Sequence, residues 1–374
     1  MRIGVNVRLL LSENMEGIPR FIYETTRQMA HDHPQDDFIL FFDRKVDVDF
    51  GFPPNVKSVV VPWHARHPIL WIWWFEVMIP IYLWWYNVDV FYSGDGYLSL
   101  RTKIPTVIVL HDLAYIHYPE HVGRTSLSFC KKYVPRYLYK ADQIIAVSEF
   151  VKKDIINLFN ISPEKIKVAF NAVSPRIDVS NIVLPETLSF AINNQPYFLY
   201  VGALHPRKNI TKLIDAFLIF NEKNKHSFKL VLAGRLAWKT DEIEKAIQSS
   251  PDIIHAGMVS EKAKYKLIGD ALAMVYISVF EGFGIPLLEA MKMGTPVITS
   301  SVTSMPEVAG DAAILVNPTD TNDIASAMEM MVKDETVRRN LSKKGLIRYQ
   351  DFSWKVSADT IYDALHCCAV RKDN

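Results

Sequence analysis

The sequence predicts an α/β protein with two doubly wound domains, each built on a parallel sheet. The first observation is the length, because 374 residues exceed the roughly 100–200 residues of one ordinary domain. The second is the alternation of short Val-, Ile- and Leu-rich runs with segments whose apolar residues recur every three to four positions. The third is the composition: 49% hydrophobic and 22% charged residues are typical of folded soluble domains and exclude a disordered or multi-span membrane protein.

Seven candidate strands occupy the first half of the chain. Several of them are nearly continuous apolar runs, which are typical of strands covered on both faces. In chain order they are Arg2–Asn6, Phe38–Phe42, Val59–Val61, Val88–Tyr92, Val107–Leu110, Ile144–Val147 and Ile166–Ala169.

A second series of strands follows the less regular segment 174–195, which we interpret as a linker. Helical periodicity predicts helices over Ile210–Phe220, Glu261–Ala271 and Thr321–Lys333 between these strands. In chain order the strands are Tyr197–Val201, Lys229–Ala233, Ile253–His255, Met274–Ile277, Val297–Thr299 and Ala313–Val316.

The charge balance gives no global reason to expect nucleic-acid binding, because 42 Lys and Arg residues stand against 41 Asp and Glu residues. The three cysteines, Cys130, Cys367 and Cys368, are too few for a disulfide framework and lack zinc-site spacing, which favours a reducing, cytoplasmic compartment. No signal peptide is expected at the start of the sequence. The apolar stretch Ile69–Trp85 is interrupted by a glutamate and a proline, and it falls short of the roughly 20 residues of a membrane-spanning helix.

Neither the dinucleotide fingerprint nor the P-loop motif follows any strand, which disfavours a dehydrogenase or a P-loop ATPase. The most informative segment is 278–296, whose pattern predicts a strand, a glycine turn, a short helix and a glycine stop. Pro286 suits the first turn of that helix, and Gly294 suits the left-handed position just past its end. The free N–H groups of the helix would face the carboxyl edge of the sheet, where anions or hydroxyl oxygens bind.

Two glutamates flank this glycine turn. Glu281 precedes the turn and Glu289 lies about one turn into the helix, so both carboxylates can face one crevice. A carboxylate accepts two hydrogen bonds, which matches a vicinal diol on a sugar or a ribose. Gly282 and Gly284 would let the backbone approach a ligand closely. The alternative is that the glutamates only interact favourably with the helix dipole.

Two cations, Arg207 and Lys208, lie between the strand Tyr197–Val201 and the helix that begins at Ile210. Cations at a helix N-terminus oppose the helix dipole, so they are costly there unless an anion is also bound. We therefore predict that Arg207 and Lys208 bind a diphosphate. The alternative is that they lie in a solvent-exposed loop and bind no ligand.

These motifs resemble those of the retaining GT-B glycosyltransferases of family 4. The resemblance rests on Gly-x-x-x-x-Arg-Lys-Asn at 202–209, Leu-Ala-Gly at 232–234, Glu-Gly-Phe-Gly-x-x-x-x-Glu at 281–289 and the segment 304–313. It covers nearly the whole chain and is strongest over 197–317. It implies two Rossmann-like domains facing a central cleft: an acceptor-binding domain at 1–180 and a nucleotide-sugar-binding domain at 181–350. A C-terminal helix at 351–374 would cross back to the first domain.

The resemblance also implies a donor site. Arg207 and Lys208 would bind the diphosphate, and Glu289 would bind the ribose hydroxyls. Glu281 would bind the transferred sugar, together with the backbone of Phe283 and Gly284, and Gly282 and Ile285 would also belong to the donor-binding loop. Backbone atoms around Gly257 and Val259 are candidates for contacting the base. No cofactor or metal ion is expected, because the sequence shows no paired-aspartate site near the diphosphate and cationic side chains would take the metal's role.

In the first half, His111 follows the strand Val107–Leu110. The resemblance implies that it contacts the transferred sugar at its reacting face, and the alternative is a histidine satisfied within its loop. Asp112 would either orient the imidazole or cap the next turn. Ser148 is expected to be a helix N-cap.

The loop 13–20 resembles the glycine-rich loop that lies across the donor phosphates in this family. Gly17 is retained, and we expect it to contribute to donor binding. Glu16 and Pro19 stand where family members often have glycine, so Arg20 is open to a structural or ion-pairing role.

Six of the eight tryptophans fall in one short segment, namely Trp63, Trp71, Trp73, Trp74, Trp84 and Trp85. Basic residues lie just upstream and further along the chain at His64, Arg66, His67, Lys131, Lys132, Arg136 and Lys140. This clustering predicts peripheral contact of segment 63–86 with the cytoplasmic face of a membrane. The alternative is a helix buried between the sheet and its neighbours. An apolar groove in this domain would also suit a lipid-linked saccharide acceptor.

Taken together, these features predict transfer of a hexosyl group from a nucleotide diphosphate sugar, with retention, during cell-surface polysaccharide or lipopolysaccharide synthesis. GDP-mannose is the expected donor, by resemblance to polysaccharide mannosyltransferases, and a UDP-sugar is the alternative. A front-face reaction, in which the leaving phosphate accepts the proton of the acceptor, is the expected mechanism. Two other classes stay open: a phosphorylase or epimerase of the same architecture, and a non-catalytic scaffold that binds nucleotide sugars.

Overall fold

The structure, a computed structural model, describes residues 1–11, 15, 17–65, 67–173, 179 and 181–370. The chain divides into two compact units. One comprises Met1–Asn171 together with Ser353–Asn374, and the other comprises Ala172–Phe352.

The first unit is built on a seven-stranded parallel sheet with the order β3-β2-β1-β4-β5-β6-β7. Its strands are β1 (Arg2–Asn6), β2 (Asp37–Phe42), β3 (Val56–Val60), β4 (Val90–Ser93), β5 (Thr106–Leu110), β6 (Gln143–Ala146) and β7 (Ile166–Val168). Strands β4, β5 and β6 are buried along their whole length, which explains their continuous apolar sequences. The strand order reverses between β1 and β4, and open parallel sheets bind ligands beyond the carboxyl ends of the strands at such a point.

Between Met1 and Asn171, the described residues include six helices that accompany this sheet. They are α1 (Ile18–Asp32), α2 (Pro68–Trp73), α3 (Ile79–Trp85), α4 (Ala114–His117), α5 (Arg124–Lys140) and α6 (Glu149–Phe159). A π-helical turn over Trp74–Met78 joins α2 to α3, and the N–H of Ile79 donates to the carbonyl of Trp74, five residues earlier. Pro80 follows directly and has no N–H to donate, so the wider turn is compatible with a continuous helical segment through the proline.

The second unit is built on a six-stranded parallel sheet with the order β10-β9-β8-β11-β12-β13. Its strands are β8 (Tyr197–Val201), β9 (Lys229–Ala233), β10 (Ile253–Gly257), β11 (Ala273–Tyr276), β12 (Val297–Ser300) and β13 (Ala313–Val316). The strand order reverses between β8 and β11. The two units therefore confirm the predicted fold class of two doubly wound, Rossmann-like sheets.

The described part of the second unit contains eight helices. They are α7 (Glu186–Ile192), α8 (Ile210–Lys223), α9 (Asp241–Ile247), α10 (Glu261–Asp270), α11 (Ile285–Met293), α12 (Met305–Ala309), α13 (Thr321–Lys333) and α14 (Glu335–Arg348). Helix α7 lies inside the segment 174–195 that we interpreted as an irregular linker, so that interpretation is wrong for these residues. Only Leu188 and Ile192 of α7 are buried, and two apolar positions in one short helix give a weak periodic signal.

The last helix, α15 (Trp354–Val370), packs on the first unit. The Trp354 ring meets the Phe21 ring edge-on at 5.9 Å, and the Ser357 hydroxyl donates to the Phe170 carbonyl at 2.6 Å. Cys368 is buried in this packing and Cys367 is exposed, and neither forms a disulfide. No helix in the described part of the chain is long and apolar enough to cross a membrane.

Candidate functional site

The loops that follow β8 and β11 meet where the second sheet reverses its strand order. The loop after β8 forms a 3-10 turn over Pro206–Lys208, and the loop after β11 carries Glu281 before α11 begins at Ile285. The structure therefore brings together the cations and the first glutamate that the sequence singled out, although more than seventy positions separate them along the chain.

Lys208 and Glu281 form a mostly buried ion pair. The ammonium of Lys208 donates to Glu281 Oε1, and the two side chains are 15% and 9% exposed. The ammonium also donates to the Tyr276 hydroxyl at 2.8 Å, and that hydroxyl donates to the same carboxylate oxygen at 3.1 Å. The Tyr276 ring stacks on Tyr200 with 5.6 Å between the ring centroids. The carboxylate is thus held in one position by two donors on a rigid aromatic support.

Two opposing effects act on the pKa of Glu281. Burial by itself would raise this pKa, but the Lys208 ammonium and the Arg207 guanidinium outweigh burial and hold the pKa below its ordinary value. Glu281 is therefore ionised at neutral pH, and both of its carboxylate oxygens are hydrogen-bond acceptors.

Arg207 is anchored between the same two loops. Its Nη1 donates to the Phe280 carbonyl at 3.3 Å, and the N–H of Val279 donates to the Arg207 carbonyl at 3.1 Å. His205 caps the turn, because its Nδ1 accepts from the N–H of Arg207 at 3.2 Å. The guanidinium and the Lys208 ammonium are in this way fixed beside the carboxyl ends of β8 and β11.

Asn209 explains the third residue of the Arg-Lys-Asn motif. It adopts a left-handed backbone conformation with φ of 60°, which asparagine tolerates better than most residues. Its buried side-chain amide donates to the carbonyls of Ile277 at 3.2 Å and Pro318 at 2.6 Å. Asn209 therefore ties the loop after β8 to the loops after β11 and β13, a structural role that sequence reasoning missed.

Glu289 lies in the middle of α11, one turn from its start, and is also mostly buried. Lys264 of α10 donates to its Oε1 at 2.6 Å, and the Tyr265 hydroxyl donates to the same oxygen at 3.4 Å. Sequence reasoning did not identify Lys264. Its only signal was a lysine in the first half of an amphipathic helix, which normally marks a solvent-exposed face. Each of the two glutamates thus forms an ion pair with a different lysine.

The turn at 282–285 is shaped by packing as well as by backbone conformation. Gly284 has φ of 105° and is the N-cap of α11, and a Cβ there would lie 2.5 Å from Met305 Cε. Ser304 donates to the carbonyls of Glu281 at 2.9 Å and Phe283 at 3.1 Å. Gly282 and Phe283 are buried in this turn, and Ile285 begins the helix. The positive φ of residue 284 favours glycine there whether or not a ligand approaches, whereas Met305 Cε is the end of a flexible side chain and could move.

The helix α11 ends as the sequence predicted. Pro286 lies in its first turn, and Gly294 is its left-handed C-cap with φ of 77°. Gly234, in the Leu-Ala-Gly motif after β9, has φ of 155°, and a Cβ there would lie 1.9 Å from the Gly202 carbonyl oxygen. This glycine allows the loops after β8 and β9 to touch. Gly257 ends β10, and its carbonyl accepts from the N–H of Gly234 at 2.8 Å.

In the first unit, His111 lies just past the carboxyl end of β5. Its Nε2 is 2.8 Å from the Gly94 carbonyl oxygen, and its ring meets Phe21 edge-on at 5.3 Å. Burial lowers the pKa of His111 against the smaller opposing effects of the Gly94 carbonyl and Asp112. The imidazole is therefore neutral at pH 7, with Nε2 protonated and donating to Gly94.

Other residues predicted to lie near the carboxyl ends of the strands in the first unit make local structural contacts. Asp112 accepts from the N–H of Ala114 at 3.0 Å, which is the capping alternative. Ser148 is the N-cap of α6 and accepts from the N–H of Val151 at 3.1 Å, as expected. Gly17, with φ of 54°, is the N-cap of α1. Arg20 pairs with Glu24 at 3.5 Å. Residues 13, 14 and 16 of the predicted phosphate loop lie outside the described residues.

The tryptophan-rich segment divides between core and surface. Trp74 is fully buried, whereas Trp63, Trp73, Trp84 and Trp85 are 45–77% exposed. The buried-helix alternative is therefore correct for one face of the segment only. Arg66 lies outside the described residues. Within the described ranges, no cluster of three or more His, Cys, Asp or Glu side chains is placed to hold a metal ion.

The two parallel-sheet units, with a cation and carboxylate cluster at the strand-order reversal of the second, define a GT-B glycosyltransferase architecture. Residues 15–176 match Glycosyltransferase Family 4, and residues 189–348 match Glycosyl transferases group 1. The chain is 31% identical over 274 residues to the O-antigen chain mannosyltransferase B of Escherichia coli, covering 71% of each chain. It therefore belongs to the family 4 glycosyltransferases.

Further relatives and structures agree with this assignment. The chain is 29% identical to the O-antigen chain mannosyltransferase RfbU of Salmonella typhimurium, covering 74% of each chain. It is 27% identical to a Campylobacter jejuni transferase named for a diphospho-undecaprenol substrate, covering 63% of each. Among solved structures, sucrose-phosphate synthase from Thermosynechococcus elongatus superposes with a TM-score of 0.75 at 18% identity, covering 97% of each chain. Anabaena HepE in complex with UDP-glucose gives a TM-score of 0.68 at 17% identity, covering 98% of this chain and all of HepE.

Proposed function

We propose that this glycosyltransferase moves a hexosyl group, with retention of the anomeric configuration, from a nucleotide diphosphate sugar to a saccharide acceptor in polysaccharide synthesis. The observation that carries the proposal is the placement of Arg207 and Lys208 beside Glu281 at the strand-order reversal of the second sheet, with Glu289 on the helix α11 that follows the same loop. Two oriented carboxylates suit the hydroxyl pairs of a ribose and a sugar. The adjacent cations suit the diphosphate that joins them.

The charges of this cluster fit the chemistry of the leaving group. When the glycosidic bond breaks, negative charge develops on the departing diphosphate, and preorganised cations stabilise that charge. Arg207 and Lys208 are the cations for this role. In this proposal no metal ion is needed, and activity should therefore survive treatment with a chelator.

Glu281 and His111 contribute orientation in this mechanism. Glu281 would accept from hydroxyls of the transferred sugar, and its lowered pKa keeps it an acceptor at neutral pH. His111 would contribute its Nδ1 as an acceptor, because Nε2 is engaged by the Gly94 carbonyl. The phosphate oxygen of the leaving group would take the proton of the acceptor hydroxyl in a front-face reaction.

GDP-mannose is the donor that we propose first. Two relatives that each share more than 70% of their length with this chain are named as O-antigen mannosyltransferases. A UDP-sugar is the second candidate, because HepE, which has the same fold, was solved with UDP-glucose.

The acceptor that we propose is a lipid-linked saccharide at the cytoplasmic face of a membrane. The support is the relative named for a diphospho-undecaprenol substrate and the exposed tryptophans of the first unit.

Product analysis tests the proposal. The purified protein would be given GDP-mannose, UDP-glucose or UDP-N-acetylglucosamine with a lipid-linked saccharide, and products would be followed by mass spectrometry and anomeric NMR. We expect one donor to be used, with the anomeric configuration retained and with equal rates in a chelator. Arg207→Gln should abolish transfer, while Arg339→Gln, which removes an exposed arginine of α14, should not. Release of a sugar phosphate, or epimerised donor without transfer, would instead indicate a phosphorylase or an epimerase.

A further inference from the structure

A buried ion pair lies where the first sheet reverses its strand order. Arg8 follows β1 and Asp95 follows β4, and their side chains are 7% and 1% exposed. Arg8 Nε donates to Asp95 Oδ2 at 2.6 Å, and Arg8 Nη1 donates to the Ala65 carbonyl at 3.0 Å. Burying two charges is costly, and such a pair often stabilises a protein no more than apolar side chains of the same volume would. Its location at the edge where parallel sheets bind ligands therefore favours a role beyond stability.

The guanidinium of Arg8 is fixed among aromatic rings. Its Cζ lies 5.0 Å from the ring centroid of Tyr97, 5.7 Å from that of Phe75 and 5.9 Å from that of Trp71. Rings at these distances attract a cation electrostatically. Trp71 Nε1 also donates to the Ala65 carbonyl, at 2.7 Å, so the second acceptor of Arg8 is itself held in place. Arg8 is therefore a rigid anchor for the carboxylate that it binds.

Asp95 in turn holds the backbone turn that follows β4. Its Oδ1 accepts from the N–H of Tyr97 at 3.2 Å, while its Oδ2 is bound by Arg8. The Ser93 hydroxyl lies 3.3 Å from the same Oδ1, donates to the Tyr97 carbonyl or to this oxygen, and accepts from Asn6 Nδ2 at 3.0 Å. The two ends of the turn are thus tied to each other and to β1.

Gly94 lies inside this turn and connects it to the candidate site. Its carbonyl accepts from His111 Nε2 at 2.8 Å. A Cβ on Gly94 would lie 2.4 Å from Ile22 Cγ1, so the backbone of the turn also packs closely against α1. The preceding residue of α1, Phe21, meets the His111 ring edge-on at 5.3 Å. The orientation of the imidazole therefore depends on the turn that Asp95 holds.

We propose that Arg8 and Asp95 are positioning residues for His111. The ion pair fixes the turn, and the turn aims the Gly94 carbonyl at Nε2. Because the hydrogen bond of one ring nitrogen sets the tautomer, this contact keeps the proton on Nε2 and leaves Nδ1 as an acceptor. A hydroxyl of the transferred sugar can donate to that nitrogen. The inference rests on the proposed function, in which His111 contacts the transferred sugar.

Steady-state kinetics tests the role of the pair, with the donor and acceptor that product analysis identifies. Arg8→Met, Asp95→Asn and the double variant each remove the ion pair, and the double variant leaves no uncompensated buried charge. We expect each to lower kcat at least about tenfold with little change in the KM for the donor, because a small displacement of a contacting group is enough for such a loss. The double variant should lose no more than the worse single variant, since both residues act through one turn. Arg8→Lys keeps a cation opposite Asp95 and should retain most of the activity.

Nitrogen NMR of the histidine side chains supplies a readout that a merely structural role would not move. The full chain would carry isotope-labelled histidine, and His111→Gln would identify the signals of that ring. We expect the neutral tautomer with Nε2 protonated in the wild type and in Arg8→Lys. In the double variant Arg8→Met/Asp95→Asn, we expect a mixture of the two neutral tautomers, because the Gly94 carbonyl is no longer held at Nε2.

The matched control is Arg2→Met. Arg2 lies on the same strand, pairs with Asp37 at 3.0 Å and donates to the Tyr86 carbonyl at 2.9 Å, but it does so at the amino end of β1. The two partners of that pair are 38% and 58% exposed. This variant should leave kcat and the His111 signals as in the wild type. Kinetics would be compared only between variants whose unfolding midpoint lies above the assay temperature.

Three outcomes would overturn the inference: a folded double variant with the kcat of the wild type, a His111 tautomer that is unchanged in that variant, or an equal loss of kcat in Arg2→Met. Nucleotide-induced thermal stabilisation, measured on the same samples, keeps this failure distinct from failure of the proposed function. A wild type that responds to a nucleotide, together with a double variant that keeps its His111 tautomer, would refute only the positioning role.

Discussion

Replacing Lys208 with methionine removes the cation that neutralises a buried carboxylate. Removing one partner of a buried ion pair costs about 3–5 kcal/mol, because the other charge is left uncompensated. Lys208 and Glu281 are 15% and 9% exposed, and the Tyr276 hydroxyl would still donate to the carboxylate. We therefore expect a loss at the lower end, about 3 kcal/mol, in the free energy of unfolding of the second unit.

The pH dependence of this loss has a definite sign. In the wild type the pKa of Glu281 is held below its ordinary value by Lys208 and Arg207, in spite of burial. The pair therefore contributes stability above the unfolded pKa, and this contribution is lost as the pH falls through the folded pKa. In Lys208→Met, burial would raise the pKa of Glu281, so the carboxylate would protonate on mild acidification. The deficit of the variant should then be largest at neutral pH and should shrink as the pH is lowered.

A double-mutant cycle measures the interaction. Urea unfolding would be followed for the wild type, Lys208→Met, Glu281→Gln and the double variant, with separate transitions allowed for the two units. We expect a coupling energy of about 1–3 kcal/mol. The matched control is Lys333→Met, which breaks an exposed pair with Glu329 and should cost less than about 1 kcal/mol. If Lys208→Met costs no more than Lys333→Met, the buried pair does not exist as described.

Three further predictions follow from other contacts. Lys264→Met should raise the KM for the sugar donor about tenfold with little change in kcat, because a charge-assisted hydrogen bond that holds Glu289 is lost. Steady-state kinetics would check this prediction, with Lys264→Arg as the conservative variant, and a fall in kcat alone would contradict it. Gly234→Ala should cost at least about 2 kcal/mol of unfolding free energy, because the added Cβ would overlap with the Gly202 carbonyl. The control is Gly269→Ala within α10, where the nearest contact of a Cβ is at 3.4 Å, and it should be neutral or stabilising by up to about 1 kcal/mol. Equal effects of the two substitutions on thermal unfolding would contradict the close approach of the loops after β8 and β9. Because burial lowers the pKa of His111, the contribution of this residue to stability is full above pH 6.5 and falls as the pH decreases below that value. In His111→Gln, the unfolding midpoint should therefore depend less on pH in this range. An unchanged slope would show that the imidazole is not buried and neutral.

Most of the fold could be predicted from local patterns. The strands Tyr197–Val201, Lys229–Ala233 and Ala313–Val316 and the helix Thr321–Lys333 have the bounds that the sequence predicted. In each case a compact apolar run, or an apolar residue every three to four positions, is bounded by polar residues, glycine or proline. Such signals are local, so one sequence suffices to detect them.

The parts that escaped prediction depend on contacts between distant residues. Lys264 reaches Glu289 from a separate helix, and the Asn209 amide reaches a carbonyl 109 positions away, at Pro318. Neither pairing leaves a periodic signal in the chain. The division of the tryptophan segment into a buried and an exposed face also required the structure, because almost every residue of that segment is apolar and periodicity cannot separate the two faces.

Binding of nucleotides to the second unit tests the central claim most directly. Thermal unfolding midpoints would be measured with GDP, UDP, ADP and their sugars, for the wild type, Arg207→Ala and Glu289→Ala. Ligand at about 100 times its dissociation constant adds about 2.7 kcal/mol of stability, which is easily detected. The account predicts a raised midpoint with one nucleotide family that is lost in both variants. An unchanged midpoint with every nucleotide, or a shift that both variants retain, would contradict the assignment of these residues to a donor site.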